Sequence, residues 1–430
     1  MLAVFAALAL DPLFSAPTFA GAHISLLAQN AQTGAVVYAR SADDAMDPAS
    51  TMKLIVGSAA LDRLGTNFAF TTTLATDGTT LYLAGGGDPL LGPSDIDDAA
   101  RTLDALKATA FASLVGDAGA PHPRYPDGWQ VDDLPYDYAA PANGLSFEEN
   151  TVKIVVHPAA TAGAPATIEP LAVAIPTVEN EAVTGPAGSA DATALELDWQ
   201  HPATIRIIGS IPAGSKPVEL DASVLDASQY TLAQVTRELA AGHITFAGTP
   251  SFGPAPPNAR VLWTHRSPYL PVLLGDMWQP SDNLLAEALF AAVGGATAER
   301  AWLQTVGVDA NALTIADGSG MSAYDRVTAR ALVAILTHDW NGANRQVVLD
   351  ALPLAGKRGT LAHAWLGTPL EGHVYAKTGT SNHTRSLAGY VEGPNGPIAF
   401  ALLVNGWMDT GNGAEDRLRT AQAAILEALQ

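Results

Sequence analysis

The 430-residue chain has no cysteine. That excludes disulfide frameworks, zinc-thiolate sites and cysteine nucleophiles, and it is compatible with an oxidising compartment. Basic residues are scarce: 22 Lys and Arg stand against 43 Asp and Glu, a formal net charge of −21. The only lysines are Lys53, Lys107, Lys153, Lys216, Lys357 and Lys377. So acidic a chain is repelled by phosphate backbones and anionic membranes, which argues against nucleic-acid or membrane partners. No segment is apolar over the length of a transmembrane helix. The N-terminal run MLAVFAALAL is like the apolar part of a secretory signal, yet no Lys or Arg precedes Arg40. It reads as an atypical or truncated signal, or as the first helix of the mature fold. Several catalytic signatures are missing too. No serine sits in Gly-x-Ser-x-Gly, and Gly85-Gly86-Gly87 lacks the Lys-Ser/Thr of a phosphate loop. The ten histidines include no His-Glu-x-x-His and no ligand-like cluster, so no metal and no cofactor are expected.

What is present is a large apolar fraction, 48% of the residues, enough for a substantial core in two or three domains. His23 to Arg40 reads as a hairpin around Asn30–Gly34. Ser50 to Leu64 has helical apolar spacing and ends at Gly65. From about Thr66 to Pro257 short β-like runs alternate with Pro/Gly-rich turns, and Pro250 to Pro257 looks like a linker or boundary. Helical patterns return over Ser267 to Val293, Ala298 to Thr305 and Thr328 to His338. Strand-like runs Ser386 to Glu392 and Ile398 to Asn405 follow, then a closing helix from about Ala414. The expected class is a multidomain α/β protein with a long, mainly β insertion.

Three short patterns could carry chemistry. Ser50-Thr51-Met52-Lys53 opens a predicted helix, where positions i and i+3 share a face and hydroxyl meets amine. A serine hydroxyl is a weak nucleophile until a base takes its proton; a lysine kept neutral by burial can do that. Helix-terminal N–H groups add partial positive charge where an oxyanion would form. Ser281-Asp282-Asn283 enters an apolar helical run. Lys377-Thr378-Gly379-Thr380 places a cation and hydroxyls on a strand edge, suited to a carboxylate. Taken singly, these are also what a helix cap, a second cap and an edge-strand lysine look like.

Each pattern occurs once, in the order Ser-x-x-Lys, Ser-x-Asn, Lys-Thr-Gly, the signature set of penicillin-binding proteins and class A β-lactamases. The resemblance extends over nearly the whole chain. Asp47 to Leu54, LYLAGGGDPLL from Leu81, YPDGW from Tyr125, DDLPYDY from Asp132, GLSFEENTV from Gly144, PSDNLLAE from Pro280 and DGSGMSAYDRVT from Asp317 are similar to penicillin-binding protein 4-like D-alanyl-D-alanine carboxypeptidase/endopeptidases. So are Gly359 to Leu361 and Ala376 to Tyr390. About 230 residues separate Ser50 from Ser281, far more than in class A β-lactamases.

The resemblance implies a discontinuous penicillin-recognising domain, an antiparallel sheet flanked by helices, from residues 1–65 and 258–430. It also implies an inserted region, 66–257, of two small domains (about 66–150 with 226–257, and about 151–225). Ser50 would be the acylated nucleophile, Lys53 its base and Ser281 a proton relay. Asn283 would bind the substrate peptide or orient Lys53. Lys377 and Thr378 would hold the substrate carboxylate, and a cationic Lys377 would help keep Lys53 neutral. Gly379 would permit close approach of the strand edge, and the N–H groups of Ser50 and Thr380 would form the oxyanion hole. The implied partners are peptidoglycan stem peptides and, as covalent inhibitors, β-lactams, in the periplasm, cell envelope or secreted space. Relatives carry an acidic-then-aromatic pair after the strand near Val115; here Asp117 is followed by Ala118-Gly119-Ala120-Pro121 with no Phe in place. Two other readings share the motifs: a β-lactamase or esterase on the same fold, and a non-catalytic peptidoglycan-binding protein. The long insert argues against the first, and the intact Ser50, Lys53, Ser281, Asn283 and Lys377 against the second.

Overall fold

The structure, a computed structural model, describes residues 10–119, 125–189, 194–201 and 204–430. Of the N-terminal apolar run only Leu10 is among the described residues, and it is fully buried. The chain forms two compact units. One comprises Met1–Phe68, Pro126–Gly128 and Tyr269–Gln430, the other Ala69–Tyr125 and Trp129–Pro268. The Pro250–Pro257 stretch is not a linker. It lies inside the second unit, where Ser251–Phe252 adds an outer strand beside Leu114–Asp117. An outermost strand tolerates neighbouring prolines because half its backbone groups need no partner.

In the first unit, strands β1 (His23–Asn30) and β2 (Val36–Arg40) form the expected hairpin. The Asn30 carboxamide accepts from the N–H groups of Gln32 and Thr33, and Gly34 supplies the left-handed turn residue. The last strands, β3 (Val374–Thr380), β4 (Thr384–Gly393) and β5 (Gly396–Asn405), complete an antiparallel sheet in the order β3–β4–β5–β1–β2. The two chain ends therefore share one sheet, with the Lys377 strand at its edge, where Ala376 N donates to the Pro353 carbonyl and Ala355 N to the Val374 carbonyl. Side chains alternate between its faces. Leu387, Val391 and Phe400 join a core with Phe14, Phe19 and the closing helix, Ala414–Leu429. Tyr390 points the other way and donates its hydroxyl to the carbonyl of Leu336, on the helix Ala329–Asn341.

Helix α1 (Lys53–Arg63) runs through the middle of this unit. Leu54, Ile55, Val56, Ala59 and Ala60 are all essentially inaccessible, and each large apolar side chain contributes about 1.5–3 kcal/mol on burial. A Cβ at Gly57 would sit 2.2 Å from the Trp278 ring, so only glycine lets that ring reach the helix. Trp278 in turn donates its indole N–H to the Lys53 carbonyl at 2.8 Å. The predicted helix from Ser267 to Val293 is two helices, α2 (Leu270–Trp278) and α3 (Asn283–Val293). Pro280 cannot donate and cannot continue α2, and Asp282 caps α3 by accepting from Leu285 N. Helix α4 (Gly295–Thr305) follows directly.

The second unit is less purely β than its turn-rich sequence suggests. Besides a five-stranded sheet it contains helices Pro93–Ala105 and Ala227–Ala241, packed on each other. Their apolar positions, Ile96, Ala99, Ala100 and Leu103 in the first, carry helical spacing that the surrounding Gly and Pro obscure. Strands within residues 151–223 pair among themselves.

Candidate active site

Ser50 does not start an α-helix. It lies in a 3-10 turn, Ala49–Met52, that leads into α1. Three residues per turn eclipses i and i+3, and Lys53 Nζ stands 2.9 Å from Ser50 Oγ. The turn is pinned from outside. Asp47 accepts from Ala49 N and from the Thr384 hydroxyl, while Asn405 exchanges two hydrogen bonds with the Asp47 backbone. Ala49 and Ser281 both hold left-handed backbone (φ 44° and 73°), each a strain of order 1–3 kcal/mol for a non-glycine residue.

Lys53 is fully buried and has three partners: Ser50 Oγ, Asn283 Oδ1 at 2.6 Å and the Ser319 carbonyl at 2.8 Å. Burial pushes its pKa down to about 8, while Asp317, Asp282 and Glu287 pull the other way. A neutral amine has two N–H donors and one lone pair. Asn283 Oδ1 and the Ser319 carbonyl only accept, so they occupy both N–H groups and leave the lone pair for the Ser50 hydroxyl.

Lys377, also fully buried, donates to Ser281 Oγ and to its neighbour's carbonyl at Thr378, both at 2.8 Å. Among the described residues no carboxylate pairs with it. Burial, and then the charge of Lys53, hold its pKa well below the ordinary lysine range. Each of the two buried amines is thus held below the ordinary lysine range, first by its own burial. The Thr378 hydroxyl meets that of Thr360 at 2.9 Å. A Cβ on Gly379 would lie 2.6 Å from the Pro48 carbonyl and 3.2 Å from Ser50 N, so β3 lies directly against the Ser50 turn. The close approach that Gly379 allows is thus between strand and turn. Thr380 ends the strand, exposed. Gly379→Ala is expected to lower the acylation rate about 10²-fold by moving β3 off Ser50, without loss of fold. Rates of penicillin acylation beside melting curves test this; an unchanged rate would refute it.

The structure thus brings Ser50, Lys53 and Asn283 into one hydrogen-bonded set, with Ser281 and Lys377 in a second. Asp117 is in the other unit, where its carboxylate accepts from Gly119 N and Ala255 N. Two further residues support the site without a role in the three motifs: Ser319, in the family-like segment DGSGMSAYDRVT, and Glu287, at the end of PSDNLLAE. Ser319 offers Lys53 its carbonyl, a backbone group that no motif encodes, and its side chain also hydrogen-bonds Glu287. Glu287 accepts from Gly318 N and Ser319 N at 3.0 and 2.8 Å. Its signal was available: a lone acid in the apolar run NLLAEALFAAV, one helical turn after Asn283.

Comparison with known proteins gives this geometry a family. Residues 6–429 match the D-Ala-D-Ala carboxypeptidase 3 (S13) family. A D-alanyl-D-alanine carboxypeptidase of Actinomadura sp. (strain R39) is 32% identical over 92% of this chain and 80% of its own. The crystal structure of penicillin binding protein 4 from Haemophilus influenzae superposes with a TM-score of 0.88 at 24% identity, covering 98% of this chain and 99% of that one. The same protein is also known in complex with a β-lactam, at a TM-score of 0.82 and 22% identity, with the same coverage. A predatory peptidoglycan endopeptidase of Bdellovibrio bacteriovorus shares the fold at a TM-score of 0.55 and 17% identity, over 94% and 93% of the two chains. The chain belongs to the D-Ala-D-Ala carboxypeptidase 3 (S13) family and is an enzyme of the D-alanyl-D-alanine carboxypeptidase class.

Proposed function

We propose that this enzyme cleaves peptidoglycan stem peptides ending in D-Ala-D-Ala through an acyl-enzyme on Ser50. The observation that carries the reading is the buried Lys53 amine, 2.9 Å from Ser50 Oγ, with both N–H groups engaged by acceptors. Ser50 Oγ attacks the carbonyl of the penultimate D-Ala while its proton passes to Lys53 Nζ. The N–H groups of Ser50 and Thr380 receive the developing oxyanion, each such donor worth about 3 kcal/mol in the transition state. When the peptide bond breaks, the proton returns to the leaving amine through Ser281, whose hydroxyl is oriented by Lys377. Water then hydrolyses the ester in a second passage through the same groups.

Lys377 and Thr378 bind the terminal carboxylate. A buried lysine amine with no acid partner among the described residues gains most from an arriving anion, which raises its proton affinity. β-Lactams present the same carboxylate beside a strained amide and acylate Ser50. The substrate places the enzyme in the cell envelope; among the described residues no helix is long and apolar enough to cross a membrane. Endopeptidase action on cross-linked peptides is the second reading. A groove of about 660 Å³ lined by Thr360, His363, Trp365 and Asp416 begins at the threonine that touches Thr378, with room for a longer leaving chain. Digestion of purified peptidoglycan with mass analysis tests both. Free D-Ala is the expected product, with separated cross-links if the groove is used. Acylation by penicillin without release of D-Ala would instead fit a binding protein.

A further inference from the structure

Below Lys53 lies a group of buried carboxyls that the proposed chemistry does not use. Glu287 comes from α3, Glu299 from α4, and Asp317 and Asp325 from the loop between α4 and the helix Ala329–Asn341; all four are buried. Asp317 accepts from Gly320 N and Ser322 N, both at 2.7 Å, which fixes the turn containing Ser319. Asp325 accepts from Ala316 N at 2.7 Å. Both carboxylate oxygens of Glu299 are without a hydrogen-bond partner among the described residues. Burial, the largest cause for both, pushes Glu299 well above the usual carboxyl range and Asp325 up to about 10.

Glu287 differs from these because it touches Lys53 through a single peptide unit. One of its oxygens accepts from both Gly318 N and Ser319 N. The carbonyl of that same Ser319 accepts from Lys53 Nζ. On the opposite side, Gly320 admits no Cβ, because one would fall 1.9 Å from the Ala49 carbonyl. The turn is therefore clamped between Glu287 and the residue before Ser50. Asn283, the second acceptor for Lys53, lies one turn earlier on the helix that carries Glu287.

We propose that Glu287 is a positioning residue for the Lys53 amine, acting through the Ser319 peptide to aim its lone pair at Ser50 and to set the pH range in which it works. The proposal rests on the Ser50–Lys53 reading. Holding the Ser319 carbonyl on one N–H and Asn283 on the other leaves Ser50 as the only direction for the lone pair. The charge of Glu287 acts on the same amine: ionised, it favours the ammonium and so delays deprotonation of Lys53 to higher pH. Burial, then Asp317, pushes Glu287 up to about 8, so its charge changes over the pH range in which Lys53 works. The charged and titratable groups around this pair are Asp282, Glu299, Asp317, Asp325 and Lys377.

The test is the second-order rate of acylation by a chromogenic penicillin, followed from about pH 6 to about pH 10 in the full chain. Glu287→Gln keeps an acceptor oxygen for both N–H groups and removes the charge. Its plateau rate is expected within about threefold of wild type, with the rising limb moved to lower pH by about half a unit or more. Glu287→Ala leaves both N–H groups unheld, and its plateau is expected to fall about tenfold or more. A limb that does not move in the Gln variant overturns the proposal, as does an Ala variant with the plateau of the Gln variant. The isosteric Gln variant decides alone if the Ala variant does not fold. Absence of any acylation of the wild-type enzyme would instead refute the Ser50–Lys53 reading itself.

Discussion

Ser50→Ala is expected to abolish covalent labelling by a fluorescent penicillin and to lower D-Ala release by about 10⁴-fold or more. No other hydroxyl can substitute. Thr51 is fully buried and donates its own hydroxyl to the Pro48 carbonyl at 2.7 Å. Ser281 is the partner of Lys377, and the three hydrogen bonds of Lys53 go to other groups. Loss of the hydroxyl removes only one partner of Lys53, so the variant should remain folded with the rest of the site in place. Gel fluorescence and intact mass after penicillin exposure measure the outcome. Equal labelling of both proteins would remove Ser50 as the nucleophile.

The second large effect is at Lys53. A lysine acts as a base only when neutral. Lowering its pKa from 10.5 to about 8 increases the neutral fraction at pH 7 roughly 300-fold, leaving a residual penalty of about 1.4 kcal/mol. Acylation should therefore rise with pH as the proton leaves, by about tenfold per unit below the midpoint, and level off above about pH 8. Lys53→Met fills the same buried space without a titrating group. The plateau is expected to drop about 10²–10⁴-fold and the limb near pH 8 to vanish. Stopped-flow acylation across pH reads both. A Lys53→Met enzyme that retained the limb would transfer the base role to another group, with Lys377 the first to examine.

The residues of the site were legible in the sequence to unequal degrees. Ser50 and Lys53 were readable because their relation is local: three positions apart, on one turn, they meet whether that turn is α or 3-10. Ser281, Asn283 and Lys377 were readable only as motifs; nothing in the spacing says that residues 230 positions apart share a proton network. Secondary structure followed the same rule. The hairpin at His23–Arg40 and the closing strands showed clear patterning, whereas Pro93–Ala105 was hidden by its Gly and Pro surroundings and the split at Gln279–Asp282 by continuous apolar spacing.

By itself the amino-acid sequence determined the reagents: an acidic chain without cysteine, two of its six lysines in catalytic-type motifs, and a long insertion between them. Tertiary structure decided their chemistry. Burial is a property of packing, and it is burial that brings Lys53 within reach of neutrality and leaves Lys377 without an acid partner among the described residues. The aim of the Lys53 lone pair likewise depends on a backbone carbonyl at Ser319 and an acid on α3, groups that side-chain motifs do not encode. The scarcity of positive charge also has a local meaning. In a chain of net charge −21, two of the six lysines are fully buried, and under the proposed function they meet a small anionic peptide end.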